Sequence, residues 1–320
     1  MAEQILSLMP FSEAQKRRLE RLAPGSGIVY GTRESVTEEQ VRQADIILGN
    51  PPACMLRHAG RLKWLQLQSA GADAYLTDNI LRPETLLTTA RGAYGPAVSE
   101  HMLAMLLALF KKLHLYWGNQ QKGCWQDEGN VRSICGSTVL IVGLGDIGCA
   151  FAERIHALGG TVIGIKRRLT AKPSYVDELA AVSEMRNKLP YADVVANVLP
   201  ATPETARLFN RELFGLMKPG AVFINAGRGS TVDHNALADA LYSGHLSGAC
   251  LDVTEPEPLP CGHILWKAPN LLITPHSAGG THLPETFFRV AEIVFDNLIS
   301  YRERKALRNV VHGLDSGGIK

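Results

Sequence analysis

No Cys-x-x-Cys pair occurs among the six cysteines, which stand at positions 54, 124, 135, 149, 250 and 261. In a chain of 320 residues that scatter argues against a spaced metal site and against a disulfide framework, and it fits reduced thiols in the cytoplasm. Charge of one sign is equally scarce. Lys and Arg number 33 against 31 Asp and Glu, and a net +2 is too small to draw the molecule to nucleic acid or an anionic membrane. Long apolar runs are missing too. The most apolar stretch, HMLAMLLALF, lies between Glu100 and Lys111-Lys112 and is too short to span a bilayer. The opening MAEQILSLMPFSEAQKRR has no basic segment leading into an apolar one, so no export signal is expected. There is no solenoid-period repeat and no low-complexity tract.

What is present is the balance of a globular protein, 46% hydrophobic and 20% charged, in a chain long enough for two domains. Apolar runs alternate with helical patterns, the mark of βα units on parallel sheets. QILSL, GIVYG, DIILG, KWLQLQ and TLLTTA read as strands, and SEAQKRRLERL reads as a helix with Ser12 as its N-cap. A long helix is expected over 97–117, then a polar arm, GNQQKGCWQDEGNVRS. A second strand set follows: TVLIVGLG, TVIGI, DVVANV, AVFINA, GACLDV and LLITP. An amphipathic helix is expected from about 284 to 304, ALRNVV as a short return to the first domain, and DSGGIK as a disordered end.

VLIVGLGDIG places Gly143, Gly145 and Gly148 in a G-x-G-x-x-G turn between an apolar strand and a helix. The first glycine allows the tight turn and the second lets a pyrophosphate approach the backbone. The third lets helix and strand pack closely, while the helix N-terminus offers amide donors. A dinucleotide site is therefore expected. The next strand, GGTVIGIKRR, ends in Lys166, Arg167 and Arg168. An acidic residue roughly 20 positions after such a turn would accept the ribose hydroxyl of NAD. Positive side chains there instead suit a 2′-phosphate through charge-assisted bonds. NADP(H) is favoured on that ground; a merely solvated strand end, with NAD(H) as coenzyme, is the alternative.

Three later strand ends carry chemistry. VFINAGRGSTVD places Arg228 in a glycine-flanked turn, GACLDVTEPEPLP places Asp252, Glu255 and Glu257, and LLITPHSAGG places His276. Reduction of a 2-oxo acid needs a guanidinium to grip carboxylate and ketone, an imidazolium to give a proton, and a carboxylate to orient the imidazole. Singly, each has an ordinary explanation as a polar turn residue; jointly, beyond a dinucleotide turn, they point to hydride transfer.

The Gly143–Gly148 turn, NAGRGSTVD, LDVTEPEPLP and TPHSAGG together resemble the D-isomer-specific 2-hydroxyacid dehydrogenases, which include glyoxylate/hydroxypyruvate reductases and phosphoglycerate dehydrogenase. LQLQSAGADAYL and AVSEHMLAMLLAL also fit, so the resemblance covers essentially the whole chain. It implies an α/β fold of two doubly wound parallel-sheet domains. A Rossmann-type coenzyme domain, 96–283, would be inserted into a flavodoxin-like substrate domain, 1–95 and 284–320. It implies Arg228 as the substrate-binding arginine, Glu257 rather than Glu255 as the partner of His276, and His276 as acid/base. Asp252 would meet the nicotinamide carboxamide. Asp146, Ile147, Leu199, Pro200, Thr205, Ala226, Gly227, Ala278 and Gly279 would complete the coenzyme contacts. Amides of Ser69, Ala70 and Gly71 would receive the substrate carboxylate. A homodimer is implied, with the arm 118–135 and its Trp125 as the pairing element. His234, after VD, and CGHILW depart from the family pattern. The lack of a regulatory domain after residue 320 argues against a feedback-controlled phosphoglycerate dehydrogenase. An NAD-dependent 3-phosphoglycerate oxidiser and a dinucleotide-sensing corepressor-like protein are the rival readings.

Overall fold

The computed structural model describes residues 2–77, 80–169, 171–280 and 283–313. Chain contacts divide these into two units, the described residues of Met1–Ala93 with Thr281–Lys320, and Tyr94–Gly280. The DSGGIK end lies outside the described residues.

In chain order the first unit begins with β1 (Gln4–Ser7), α1 (Glu13–Leu22), β2 (Gly27–Tyr30), α2 (Glu38–Gln43), β3 (Ile46–Leu48), β4 (Trp64–Gln66) and β5 (Leu86–Thr88). The second unit holds α3 (Gly95–Phe110), α4 (Leu113–Gln121), β6 (Thr138–Val142), α5 (Asp146–Ala157), β7 (Thr161–Lys166) and β8 (Glu178–Ala181). It continues through α6 (Met185–Lys188), β9 (Val194–Asn197), α7 (Arg211–Leu216), β10 (Ala221–Asn225), α8 (His234–Tyr242), β11 (Leu246–Leu251) and β12 (Leu271–Ile273). The chain then returns to the first unit with α9 (Pro284–Arg302) and β13 (Val310–His312).

The first sheet has the order β13-β5-β4-β3-β1-β2. Its five early strands are parallel, in the flavodoxin-like arrangement, and β13 closes the edge antiparallel to β5. That pairing is the return expected of ALRNVV. Ser12 caps α1 through a full capping box with Gln15. Phe11 stacks on Phe295 of α9 at 5.3 Å, tying the ends of this unit together.

The second sheet, β12-β11-β10-β9-β6-β7-β8, is parallel throughout. The chain steps outward from β6 to β8, then crosses back to β9 on the other side of β6. Strands β6, β9, β10 and β11 are buried on both faces, which is why they read as continuous apolar runs. Ligands of such sheets collect outside the carboxyl ends, beside the crossover.

Two elements differ from expectation: β8 is an edge strand beyond the six expected of this sheet, and the long helix is broken. The single helix over 97–117 is two helices, α3 and α4, broken where Lys112 adopts φ 56°. No Gly or Pro marks the break. It is held from outside: Arg132 donates its amide to Phe110 O and lays its guanidinium over the Phe110 ring at 4.5 Å, and Lys112 reaches the Glu128 carbonyl. Among the described residues no helix is long and apolar enough to cross a membrane.

Candidate active site

Gly143 ends β6 at φ 108°, which an L side chain rarely adopts, and α5 starts at Asp146. A Cβ at Gly148 would lie 2.1 Å from the Gly143 carbonyl oxygen, so helix and strand touch backbone to backbone. At exposed Gly145 a Cβ would meet nothing within 4 Å. The turn thus has one glycine for the bend, one for packing, and one whose missing side chain leaves open room before a helix N-terminus. This is the cradle a pyrophosphate requires, and these residues fit a dinucleotide. The Asp146 carboxylate is spent elsewhere, accepting the Gly95 amide at 2.9 Å at the start of α3. Ile147 is half-buried behind it.

At the end of β7, Lys166 is half-buried while Arg167 and Arg168 are exposed. The fold brings an acidic group toward this cluster that sequence distance concealed. The Glu204 carboxyl is held below the usual carboxylate range, first by a hydrogen bond from Thr202 and further by Arg167. Leu199, half-buried, and Pro200, exposed, follow β9, and the Thr205 hydroxyl closes their loop by donating to Pro200 O at 2.7 Å.

Beside them, a network of fully buried polar side chains holds the turn after β10. Asn197 Nδ2 donates to Asn225 Oδ1 at 3.0 Å and to Thr231 Oγ1 at 2.7 Å. Asn225 Nδ2 and Thr231 Oγ1 both donate to the Arg228 carbonyl, at 3.0 and 2.6 Å, and Gly227 N donates back to Asn225 Oδ1. Buried amides are tolerated only when satisfied in this way, so the Arg228 backbone has little freedom. Ala226 is half-buried and Gly227 is buried against Leu199, where a Cβ would lie 2.5 Å from the Leu199 carbonyl. A Cβ at Gly229 would fall 2.0 Å from Thr254 backbone, so the Arg228 turn abuts the loop carrying Glu257.

The last cluster joins β11 to β12. His276 Nδ1 donates to Glu257 Oε2 at 2.9 Å, and Glu257 Oε1 accepts the Thr254 amide at 3.1 Å. A carboxylate can only accept, so Nδ1 carries the hydrogen and Nε2 is the atom turned to other work. Both side chains are partly open to solvent. His276 itself sits at φ 51°. Asp252 is only 4% exposed and collects the Thr274 hydroxyl at 2.6 Å and the amides of Ser277 and Ala278 at 2.9 and 3.2 Å. Gly279 follows against Tyr94 and Val98, both 3.4 Å from a Cβ built there.

In the first unit, Ser69, Ala70 and Gly71 form a half-buried turn after β4. Ser69 Oγ donates to Gly71 O at 2.7 Å and accepts from Asn50 Nδ2 at 3.0 Å. The sequence candidates therefore lie at, or just beyond, the carboxyl ends of the strands of their sheets. Sequence reasoning missed the polar side chains beneath them: Asn197, Asn225, Thr231, Thr274 and His101. For the two asparagines a signal existed, since Asn is disfavoured inside a buried strand.

The D-isomer specific 2-hydroxyacid dehydrogenase NAD binding domain model matches residues 103–278. The glyoxylate/hydroxypyruvate reductase B of Shigella boydii is 32% identical over 277 residues, 84% of this chain and 85% of the relative. A D-isomer specific 2-hydroxyacid dehydrogenase family protein from Aeromonas salmonicida superposes with a TM-score of 0.87 at 33% identity, covering 98% of this chain and all of its own. A D-isomer specific 2-hydroxyacid dehydrogenase from Xanthobacter autotrophicus, solved with NADPH and MES, gives 0.80 at 27% identity over 98% of this chain and 99% of its own. Together with an α/β fold of two parallel-sheet units and a Rossmann-type strand order, these matches establish that the chain belongs to the D-isomer specific 2-hydroxyacid dehydrogenase family of nicotinamide-dependent oxidoreductases.

Proposed function

We propose that this chain reduces a small 2-oxo acid of the glyoxylate or hydroxypyruvate type to its D-2-hydroxy acid, with NADP(H) preferred over NAD(H). The observation that carries the reading is the 2.9 Å pair of His276 Nδ1 and Glu257, next to the turn that fixes Arg228. Bound nicotinamide supplies the hydride. His276 Nε2 gives a proton to the ketone oxygen as charge develops there, with Glu257 behind it holding the ring. Arg228 grips the carboxylate and carbonyl oxygens. Asp252 would meet the carboxamide, and the glycine turn would take the pyrophosphate. The unit Tyr94–Gly280 is the coenzyme domain in this reading and the other unit the substrate domain.

Lys166, Arg167 and Arg168 support the 2′-phosphate, as does the NADPH in the Xanthobacter relative. A phosphorylated substrate is less well served. Arg61 and Lys63 are drawn to Asp45, at 2.9 and 3.2 Å, on the amino edge of the first sheet, opposite the Ser69 turn. Arg82 pairs with Glu84 at 2.7 Å. We also assign the arm 118–135 to a homodimer, because Trp125 is fully exposed on it, and we place the enzyme in the cytoplasm on its unpaired cysteines.

The test is a panel of 2-oxo acids assayed with NADPH and NADH in parallel, on the wild type and His276→Gln. Turnover on the short acids, faster with NADPH, is expected. The variant should lose roughly 10²–10⁴-fold in kcat, the usual worth of a positioned acid, while still binding coenzyme. Near-normal turnover by the variant, or none by the wild type on any 2-oxo acid, overturns the reading.

A further inference from the structure

Asp252 is a buried carboxylate, and among the described residues the one basic side chain within 4 Å of it is His101, on α3, at 3.7 Å from Oδ1. The nearer contact of His101 is the Thr274 hydroxyl, 2.9 Å from its Nε2. That hydroxyl has a single hydrogen, and it is committed to Asp252 Oδ1 at 2.6 Å. Thr274 can therefore only accept from the imidazole, so Nε2 of His101 must carry hydrogen. The result is a directed chain, His101 Nε2–H to Thr274 Oγ1–H to Asp252, ending on the carboxylate that clamps the Ser277 and Ala278 amides. His276 lies between Thr274 and those two amides, and its own amide donates to the Asp252 carbonyl at 2.7 Å.

We infer that His101 is a positioning residue for the reaction: acting through Thr274 and Asp252, it holds the 274–278 turn in the shape that presents the His276 ring to Glu257. This rests on the proposed role of His276. Without the donor at 101, the Thr274 hydroxyl loses its fixed direction and can turn from Asp252 to solvent, since His101 is itself partly exposed. The turn then relaxes from the left-handed backbone that His276 adopts. No contact to the coenzyme phosphates is touched, so kcat should suffer more than coenzyme affinity.

The experiment compares wild type, His101→Leu and His101→Gln, the last retaining a side-chain N–H donor. Nitrogen-15 NMR of the imidazoles should show His101 of the wild type with hydrogen on Nε2. His101→Leu should move the His276 resonances and lower kcat about tenfold, with NADPH Kd and Tm little changed. His101→Gln should recover most of the rate. Unmoved His276 resonances, a wild-type His101 with bare Nε2, or a loss in Tm and kcat alike that Gln does not rescue would each overturn the assignment. A wild type without turnover would sink the proposed reaction alone, since the imidazole spectra still decide the role of His101.

Discussion

Replacing Gly145 and Gly148 by alanine, one at a time, separates what the turn does for folding from what it does for coenzyme. A methyl at 148 would lie 2.1 Å from the Gly143 carbonyl oxygen and 3.3 Å from Val198 Cγ2. The nearer atom is backbone, so relief requires β6 or α5 to move. Overpacking of this kind costs about 1–3 kcal/mol, and a backbone obstacle belongs at the upper end. At roughly 2–4 °C per kcal/mol, Gly148→Ala should melt some 5–10 °C below the wild type. At 145 the same methyl meets nothing, and the backbone, φ −93° and ψ −153°, is already extended. Alanine there restricts the unfolded chain and should leave stability equal or raised by about 0.4–1 kcal/mol. Only a ligand lying against the turn can object. If the pyrophosphate lies there, NADPH Kd rises tenfold or more, at least about 1.4 kcal/mol. Thermal melts without coenzyme and fluorescence titration with NADPH measure both quantities. A Gly145→Ala protein that binds NADPH as tightly as the wild type would refute the coenzyme assignment of this turn.

Arg167→Asp together with Arg168→Ser should weaken NADPH binding at least tenfold and leave NADH binding within about threefold, because only the 2′-phosphate is repelled; equal losses for both coenzymes would show the charges to be merely solvated. His234 is buried, and burial first, with neighbouring His263 second, holds its pKa below the ordinary value. The unfolded chain therefore takes up a proton below about pH 6.5 that the folded chain resists. Its contribution is complete above that pH and is lost as pH falls toward the lower folded-state value, so His234→Gln should flatten the decline of Tm between pH 7 and 5.5. An unchanged slope would count against it. Trp125→Ser should convert a dimer to monomer in light scattering; a monomeric wild type, or an unaffected dimer, removes the arm from that role.

The buried strands were legible because parallel sheets covered on both faces leave continuous apolar runs, such as TVLIVG and AVFINA. β8 was not, since Glu178–Ala181 is a short, half-exposed edge with no β-branched residue. The α3–α4 break was hidden for another reason. LFKKLHLYW keeps helical character throughout, and what bends it is Arg132 and Glu128, which sequence places far away. The candidates Arg228, Glu257 and His276 stood out jointly, at successive strand ends beyond a glycine-rich turn, although each alone has an ordinary explanation as a polar turn residue. Their supports did not stand out. Thr274 and His101 are unremarkable residues until folding sets them 2.9 Å apart, and nothing local in AVSEHML says that its histidine meets a strand end. Asp146 was misleading in the opposite sense, looking like part of the coenzyme turn while its carboxylate serves α3.

The left-handed backbone of His276 shows why those supports matter. A non-glycine residue at φ 51° costs of order 1–2 kcal/mol, and nothing in the side chain of histidine repays that locally. The conformation persists because its amide and those of the next two residues converge on Asp252, one on its carbonyl and two on its carboxylate. Each hydrogen bond to a charged group contributes about 1.5–3 kcal/mol, so the clamp outweighs the strain. The same economy appears at Arg228, whose carbonyl is held by Asn225 and Thr231 from within the sheet. In both turns a buried polar neighbour fixes the backbone of the residue proposed to act, His276 or Arg228. The precision of the site is therefore stored below its surface, on strand ends that solvent does not reach. Substitutions at Asp252 or Asn225 should therefore displace His276 or Arg228 through the backbone while leaving both of those side chains chemically unchanged.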